Sequence, residues 1–279
     1  MEPDDSHIKK LIELALSEDI RNGDITTDSI VSDAEIREAV FIVKQEGIIA
    51  GLEIARKIFL TIDSKIEWTS IKNDGDFCNK NDIAAKVKGR YKAILNAERT
   101  ALNFLQRMSG IATKTNVFVK KLEGLKTKIL DTRKTVPGHR QLDKYAVRLG
   151  GGKNHRSGLY DMVLIKDNHI KIAGGIDKGV ESVKKRLKDK LKLEVETSSL
   201  AEVSQALIAG VDIIMLDNMS VELMKKAVEL CDGIVLTEAS GNISLKNIRE
   251  IAETGVDYIS VGELTHSVQA LDISMKIVE

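Results

Sequence analysis

An α/β chain in two parts, a small α+β unit followed by a closed or nearly closed barrel of βα units, is the fold class this sequence predicts. Three observations predict it. The chain has 279 residues, room for about two domains or for one barrel with an appendage. From Lys128 onward, short apolar stretches alternate with amphipathic helical ones at intervals of roughly 20 to 35 residues, the rhythm of βα repeats. No GxGxxG fingerprint follows any of those stretches, which favours a barrel over an open dinucleotide-binding sheet.

The first element is a helix, because Ile8, Leu11, Ile12, Ala15 and Leu16 share one face behind the candidate cap Ser6. A turn-rich segment, Arg21 to Asp28, leads to strand-like stretches at Ala39–Val43, Ile66–Ile71 and Ile83–Val87, broken by Gly, Asn and Asp. A long helix from Ala97 to about Leu122, with Ala101, Leu105, Met108 and Ala112 on one stripe, links the two parts. The barrel strands then read Lys128–Asp131, Asp161–Ile165, Leu191–Val195, Val211–Leu216, Gly233–Leu236 and Val256–Val261. They are apolar enough to be covered on both faces, as parallel strands are. A further strand fits near Gly152–His155. The run Gly150–Gly152 lacks the spacing of a P-loop and reads as a flexible approach to His155.

Composition excludes several classes. Hydrophobic residues at 43% and charged residues at 30% are ordinary for a soluble globular chain. No apolar run approaches the roughly 20 residues of a membrane helix, and Met1 to Lys10 is charged where a signal peptide would be apolar. The expectation is a cytoplasmic protein. The 42 basic and 42 acidic side chains cancel, and aromatics make up 4%, so neither a global field nor stacking surfaces favour nucleic acid. Cys78 and Cys231 match no redox or zinc spacing and read as reduced thiols. His7, His139, His169 and His266 form no metal-binding pair.

In a βα barrel the reactive groups gather just past the carboxyl ends of the strands. Here every such end is polar: Asp131-Thr132-Arg133-Lys134-Thr135, Lys166-Asp167-Asn168-His169, Glu196-Thr197, Asp217-Asn218, Glu238-Ala239-Ser240-Gly241, and Gly262. Arg133, Lys134, Arg156 and Lys166, with His155 beside them, suit phosphates or carboxylates. Glu196 and Asp217 would repel a bare anion but can accept from sugar hydroxyls or help hold a Mg²⁺ shared with a diphosphate. Gly241 and Gly262 follow the last two strands, where barrels wrap a phosphate in backbone N–H groups, and Ser244 is the candidate cap of the helix beyond. These residues point to a barrel enzyme acting on an anionic phosphosugar and to nothing narrower. A Schiff-base aldolase using Lys134 or Lys166 stays open, as does a sensor that binds without turnover.

A family resemblance narrows this. The strings Asn96–Ala112, Asp131–Thr135, Lys144–Arg148, Asn154–Arg156, Leu164–His169 and Tyr258–Gly262 resemble the motifs of quinolinate phosphoribosyltransferases, and the likeness runs from Gly23 to Ser274. It implies transfer of phosphoribosyl from phosphoribosyl pyrophosphate to quinolinate with decarboxylation, giving nicotinate mononucleotide, pyrophosphate and CO₂ in NAD biosynthesis. A molybdenum-transport-associated relative acting on another base is the alternative within the same barrel.

The resemblance also implies a fold: an N-terminal α+β domain over 1–110, an incomplete seven-stranded barrel over 111–264, and a C-terminal helix over 265–279 packing back on the first domain. Arg133, Arg156 and Lys166 would grip the quinolinate carboxylates with help from His155. Lys134 would lie beside the pyrophosphate, and Thr132 and Val261 would border the substrates. Glu196 and Asp217 would face the ribose and a Mg²⁺ held through the pyrophosphate, and Ser240, Gly241, Asn242 and Gly262 would cradle the 5-phosphate. Arg99 would come from the neighbouring subunit of a homodimer with shared active sites, which could assemble further into a hexamer. The sequence departs from the family pattern at Asn242 and Asn81, where glycine is usual. Asn is the residue that best tolerates left-handed backbone angles after glycine.

Overall fold

The computed structural model describes residues 3–186 and 191–278. Met1 and Glu2 of the charged amino terminus, and Glu279 at the end of the expected last helix, lie outside them.

The chain divides into two compact units: one runs to Asn116 and adds Thr135–Gly151 and the residues from Leu264 on, and the other comprises Val117–Lys134 and Gly152–Glu263. The segment Thr135–Gly151, which sequence reading assigned to the barrel, thus belongs with the first unit.

The first unit opens with α1 (Asp5–Ile20), which buries Ile8, Ile12 and Leu16. Its cap is Asp4, whose carboxylate accepts the Ser6 N–H, so the expected cap Ser6 sits inside the helix. The stretch read as turns contains α2 (Ile25–Ile30), started by Asp24 accepting from the N–H groups of Thr26 and Thr27. Then come β1 (Ile36–Val43), β2 (Gly47–Ile48), α3 (Leu52–Ile62), β3 (Glu67–Ser70), β4 (Phe77–Cys78) and β5 (Ile83–Arg90). β2 and β4 form a two-stranded ribbon. Between β4 and β5, Asn81 has φ +74°, the left-handed geometry expected where the family has glycine. The linking helix α4 (Tyr91–Lys121) is 31 residues long and buries Ala97, Ala101, Leu105, Met108 and Ala112 along its predicted stripe.

The second unit carries β6 (Lys128–Leu130), after which the chain returns to the first unit for α5 (Arg140–Leu149). There Arg107 forks onto the buried Asp143 at 3.1 and 2.8 Å. Gly150 ends α5 under tight packing: a Cβ there would stand 2.3 Å from the Ala112 carbonyl. The glycine run therefore begins on a packed residue, while Gly151 is exposed with φ +92°.

The barrel unit continues with β7 (Val163–Ile165), α6 (Asp167–Ala173), α7 (Ile176–Arg186), β8 (Leu193–Thr197), α8 (Leu200–Ala209), β9 (Ile213–Asp217), α9 (Val221–Cys231), β10 (Leu236–Ser240), α10 (Ile248–Glu253) and β11 (Tyr258–Ser260). The six strands pair in parallel in the order β6-β11-β10-β9-β8-β7. A parallel bridge joins Leu130 to Lys153 beside β6. The seventh strand anticipated near Gly152 is reduced to that contact. β10 lies later than expected: the apolar run Gly233–Leu236 is mostly turn and entry, and the strand proper carries Thr237, Glu238 and Ser240.

After α11 (Glu263–His266) the chain ends in β12 (Ile273–Val278), which pairs antiparallel with β1 in the sheet order β12-β1-β5-β3. The last segment does join the first unit, but as a strand; the expected C-terminal helix is corrected. Its residues alternate, with Ile273 and Met275 buried and Lys276 exposed, and that period of two suits the edge of a sheet.

Candidate active site

The inner face of the barrel unit is written in an i, i+2 code. Glu194 and Glu196 share one face of β8, Met215 and Asp217 of β9, Glu238 and Ser240 of β10. Glu196, Met215, Asp217, Glu238 and Ser240, with Leu164, Lys166 and Ser260, bound a cavity of about 380 Å³ at the carboxyl ends of the strands. Thr132, Arg133, Lys134, His155 and Arg156, from the segments after β6 and before β7, complete its wall.

Strand-end geometry explains why most of the expected residues converge, since successive parallel strands deliver their following residues to the same rim. Arg99, Gly241, Asn242, Val261 and Gly262 are not among the described lining side chains. Arg99 is exposed on α4 in the first unit, and Val261 is buried, its N–H donating to the Leu130 carbonyl.

The cationic wall is organised by two acids. Asp131, fully buried, accepts from the Asn154 side chain at 2.6 Å and from the His155 N–H at 2.9 Å. Asp161 accepts from the N–H groups of Ser157 and Gly158 at 2.7 and 3.0 Å. The segment 154–158 is thereby pinned at both ends. Arg156 donates from Nη1 to the Met162 carbonyl at 3.3 Å. Burial first, then the nearby Arg133 charge, pull its pKa below the ordinary arginine value. The Nε of Arg133 is buried without a hydrogen-bond partner. Two crowded guanidinium groups, one with an unmet donor, call for an anionic ligand.

Opposite them, Lys166 Nζ lies 3.7 Å from Glu196, and burial holds the Glu196 carboxyl above its usual range. Asp217 stands on the adjacent strand. Two carboxylates beside each other are hard oxygen donors that suit Mg²⁺ when water and phosphate oxygens complete the shell.

The loop after β10 is shaped for close approach. Gly241 has φ +93°, and a Cβ there would meet Asn218 Oδ1 at 2.2 Å. Asn218 is fixed in turn: its N–H donates to the Ser240 carbonyl at 2.9 Å and its Oδ1 accepts from Asn242 at 3.0 Å. Asn242 itself takes φ +52°, so it holds the left-handed turn in the place of glycine. The helix beyond starts only at Ile248 with Asn247 at its cap, and Ser244 instead organises the preceding turn.

Comparison with known proteins decides the family. Residues 24–109 match the quinolinate phosphoribosyl transferase N-terminal domain and residues 111–276 the C-terminal domain. The chain belongs to the quinolinate phosphoribosyltransferase family. It is 47% identical to tobacco (Nicotiana tabacum) quinolinate phosphoribosyltransferase [decarboxylating] 1b, over 97% of this chain and 82% of that one. With a Bacillus subtilis protein named probable nicotinate-nucleotide pyrophosphorylase [carboxylating] it shares 43% identity over 97% and 93% of the two chains. The solved nicotinate-nucleotide pyrophosphorylase of Francisella tularensis superposes with a TM-score of 0.96 at 43% identity, covering 99% of this chain and 98% of that one.

In this family member, sequence reading missed Leu164, Met215 and Ser260 on the wall, and above all Glu194. Glu194 and Glu238 are both fully buried, and with His155 they bring ligand atoms within 4.8 Å of one another. His155 Nε2 lies 3.0 Å from Glu194 and 3.5 Å from Glu238. Burial pushes the Glu194 carboxyl up to about 7, and burial together with the neighbouring Glu194 pushes Glu238 up to about 8. The signal was present: a Glu at i and i+2 in a strand otherwise covered on both faces places two acids inside the barrel.

A raised carboxyl pKa favours folding while the group stays protonated, and that contribution fades as pH rises from the unfolded value through the folded one. Glu238→Gln, which cannot ionise, should therefore hold its stability between pH 5 and pH 9 better than the unaltered chain. Urea unfolding at the two pH values measures this, and equal losses in both proteins would contradict it.

Proposed function

We propose that this chain transfers the phosphoribosyl group of phosphoribosyl pyrophosphate to quinolinate and removes one carboxyl group, forming nicotinate mononucleotide, pyrophosphate and CO₂ in NAD biosynthesis. The observation that carries the reading is the convergence of Arg133, Lys134, Arg156 and Lys166 with Glu196 and Asp217 on one cavity, in a chain of this family. The two relatives named above act, by their names, on quinolinate or nicotinate nucleotide.

In this reaction Arg133, Arg156 and Lys166 hold the two carboxylates of the pyridine, and their fixed positions orient its nitrogen toward the anomeric carbon. Lys134 lies beside the departing pyrophosphate. Donors set in advance where negative charge develops are typically worth roughly 3 to 4 kcal/mol each. Ser240 and the close-approach turn at Gly241 and Asn242 receive the 5-phosphate, with Gly262 on the neighbouring strand end and Thr132 and Val261 at the borders. Glu196 and Asp217 accept from the ribose hydroxyls and would help hold a Mg²⁺, which would supply charge neutralisation for the leaving group. Once the pyridine nitrogen is bonded to ribose, its positive charge stabilises the carbanion left by CO₂, and a proton completes the product.

The same reading makes the protein a homodimer with shared sites, open to hexamer formation. Arg99 is exposed on α4 and outside the described cavity wall, and Leu159 and Tyr160, three and four residues after Arg156, are each 75% exposed. Large apolar side chains in such a place suit a partner surface. The reading is of a cytoplasmic enzyme, since Cys78 and Cys231 are both free and buried, as thiols in a reducing compartment are. No helix among the described residues is long and apolar enough to cross a membrane.

The test is loss of quinolinate absorbance, with and without phosphoribosyl pyrophosphate and Mg²⁺. Turnover that requires both supports the assignment, and none under any condition overturns it. Within that assay, Asp217→Asn should raise the Mg²⁺ or phosphoribosyl pyrophosphate requirement more than the quinolinate requirement. A shift in quinolinate saturation alone would move Asp217 to the other substrate.

A further inference from the structure

Between the acid assigned to the ribose and the turn assigned to the 5-phosphate stands Asn218, which the proposed chemistry leaves without a task. We propose that Asn218 is a positioning residue whose side-chain amide ties the Asp217 carboxylate to the turn 240–242, so that the two ends of the phosphoribosyl group meet partners at one fixed spacing; this rests on the function proposed above.

The tie starts in the backbone. β9 and β10 run in parallel register up to the pair Asp217 and Ser240, and the Asn218 N–H then donates to the Ser240 carbonyl at 2.9 Å. The two strand ends are thereby zipped one residue beyond the sheet. There the Asn218 backbone turns left-handed, with φ +53°, a conformation that asparagine adopts more readily than most residues bearing a side chain.

The side chain then serves both strands at once. Nδ2 donates to Asp217 Oδ2 at 2.8 Å, and Oδ1 accepts from Asn242 Nδ2 at 3.0 Å. Between these bonds the amide packs against Gly241, where a Cβ would overlap its oxygen, carbon and nitrogen alike. Glycine at 241 is thus required twice, by its own φ of +93° and by the amide that fills the space beside it.

The same direction of donation runs on through the loop. The Ser244 N–H donates to Asn247 Oδ1 at 2.8 Å, and Asn247 Nδ2 donates to the Asn242 carbonyl at 3.1 Å. Each asparagine amide in this row donates toward Asp217, so the row ends on a carboxylate, the strongest acceptor it could meet. Asp217 and Ser240 line the cavity, whereas Asn218 is not among its described lining residues; it acts through its neighbours. Its bond to Oδ2 fixes the rotation of the acid, and its bond from Asn242 fixes the turn relative to that acid. A ribose phosphate spanning the two gains from a spacing set before it binds. The pyridine dicarboxylate, held by Arg133, Arg156 and Lys166, does not draw on it.

Asn218→Gly in the full chain separates the amide from the backbone, because glycine accepts the left-handed φ and keeps the N–H that bonds Ser240. Ribose 5-phosphate, titrated calorimetrically, should bind the unaltered chain and bind Asn218→Gly about tenfold more weakly, the lower end for a hydrogen bond to a charged group because this one is exposed. Quinolinate affinity should stay within about threefold, as for an independent site. In turnover the phosphoribosyl pyrophosphate KM should rise with little change in kcat or in the quinolinate KM. A purely structural asparagine would instead cost both ligands alike.

Two further variants bear on the bonds themselves. Asn218→Asp keeps the acceptor for Asn242 but sets a second carboxylate where the donor stood, so it should bind ribose 5-phosphate no better than Asn218→Gly. Asn242→Gly keeps the turn and removes the donor to Oδ1, so combining it with Asn218→Gly should lose no more than Asn218→Gly alone. Full addition in the double variant, an equal loss for both ligands, or a ribose 5-phosphate affinity that is unchanged in Asn218→Gly or undetectable in the unaltered chain would overturn the proposal. If quinolinate is neither bound nor turned over, the proposed function falls, and the ribose 5-phosphate comparison still decides the role of Asn218.

Discussion

Replacing Arg156 by Ala should weaken quinolinate binding by on the order of 30-fold or more. Truncating one partner of a desolvated charge pair costs roughly 2 to 5 kcal/mol, and each 1.4 kcal/mol or so is tenfold in affinity. Arg156 meets the conditions for that range. Its guanidinium is part-buried and crowded by Arg133, its pKa is already drawn down by burial, and its backbone is held by the His155 ring. An anion that enters relieves this crowding, and a chain without Arg156 has less to relieve. Lysine at the same position should recover only part of the loss, because an ammonium lacks the planar fork that pairs with a carboxylate. Calorimetric titration with quinolinate measures the effect, with thermal unfolding to show that the variant is folded. An unchanged affinity would remove Arg156 from the site.

Arg156 was legible in the sequence, and the reason is the strand-end rule. A βα repeat brings residues after each strand to one rim, so reading past the apolar runs collects Arg133, Lys166, Glu196 and Asp217 without knowledge of the contacts. The same rule misplaced β10. Its apolar run ends at Leu236, but the strand continues through Thr237, Glu238 and Ser240, because a cavity-lined barrel interior accepts polar side chains that an apolar count cannot see. Glu194 was missed for the same reason, although its i, i+2 relation to Glu196 placed it on the inner face.

The C-terminal segment failed differently. Ile273, Met275 and Ile277 alternate with Ser274 and Lys276, a period-two signal for a strand, which the helix implied by resemblance overrode. Short capped helices such as α2 escaped because six residues hold too little periodicity, leaving only the Asp24 cap as a sign. The backbone-specific calls at Asn81 and Asn242 succeeded because positive φ is a local steric property, φ +74° and +52° respectively, and Asn is the residue type that supplies it.

The second large effect concerns Arg99. Sequence resemblance gives this residue to the substrate, yet it is exposed on α4 in the first unit and is not among the described side chains that bound the cavity. Surface charge alone would make Arg99→Ala nearly silent, since exposed ion pairs contribute between about 0 and 1 kcal/mol. A site shared across a two-fold axis makes a different demand. Each cavity would then combine Lys134 of one protomer with Arg99 of its partner, so Arg99→Ala and Lys134→Ala should each be nearly inactive alone. Mixed in equal amounts with free subunit exchange, half the dimers are mixed. Each mixed dimer has one doubly altered site and one intact site, so roughly a quarter of the unaltered activity should return. The recovery cannot arise from two independent single-chain sites, because every chain in the mixture carries one of the two replacements. Initial rates of quinolinate loss, with the heterodimer confirmed by native mass spectrometry, provide the measurement. Heterodimers that form without regaining activity would show that each chain builds its own site, and Arg99 would then be an ordinary surface charge.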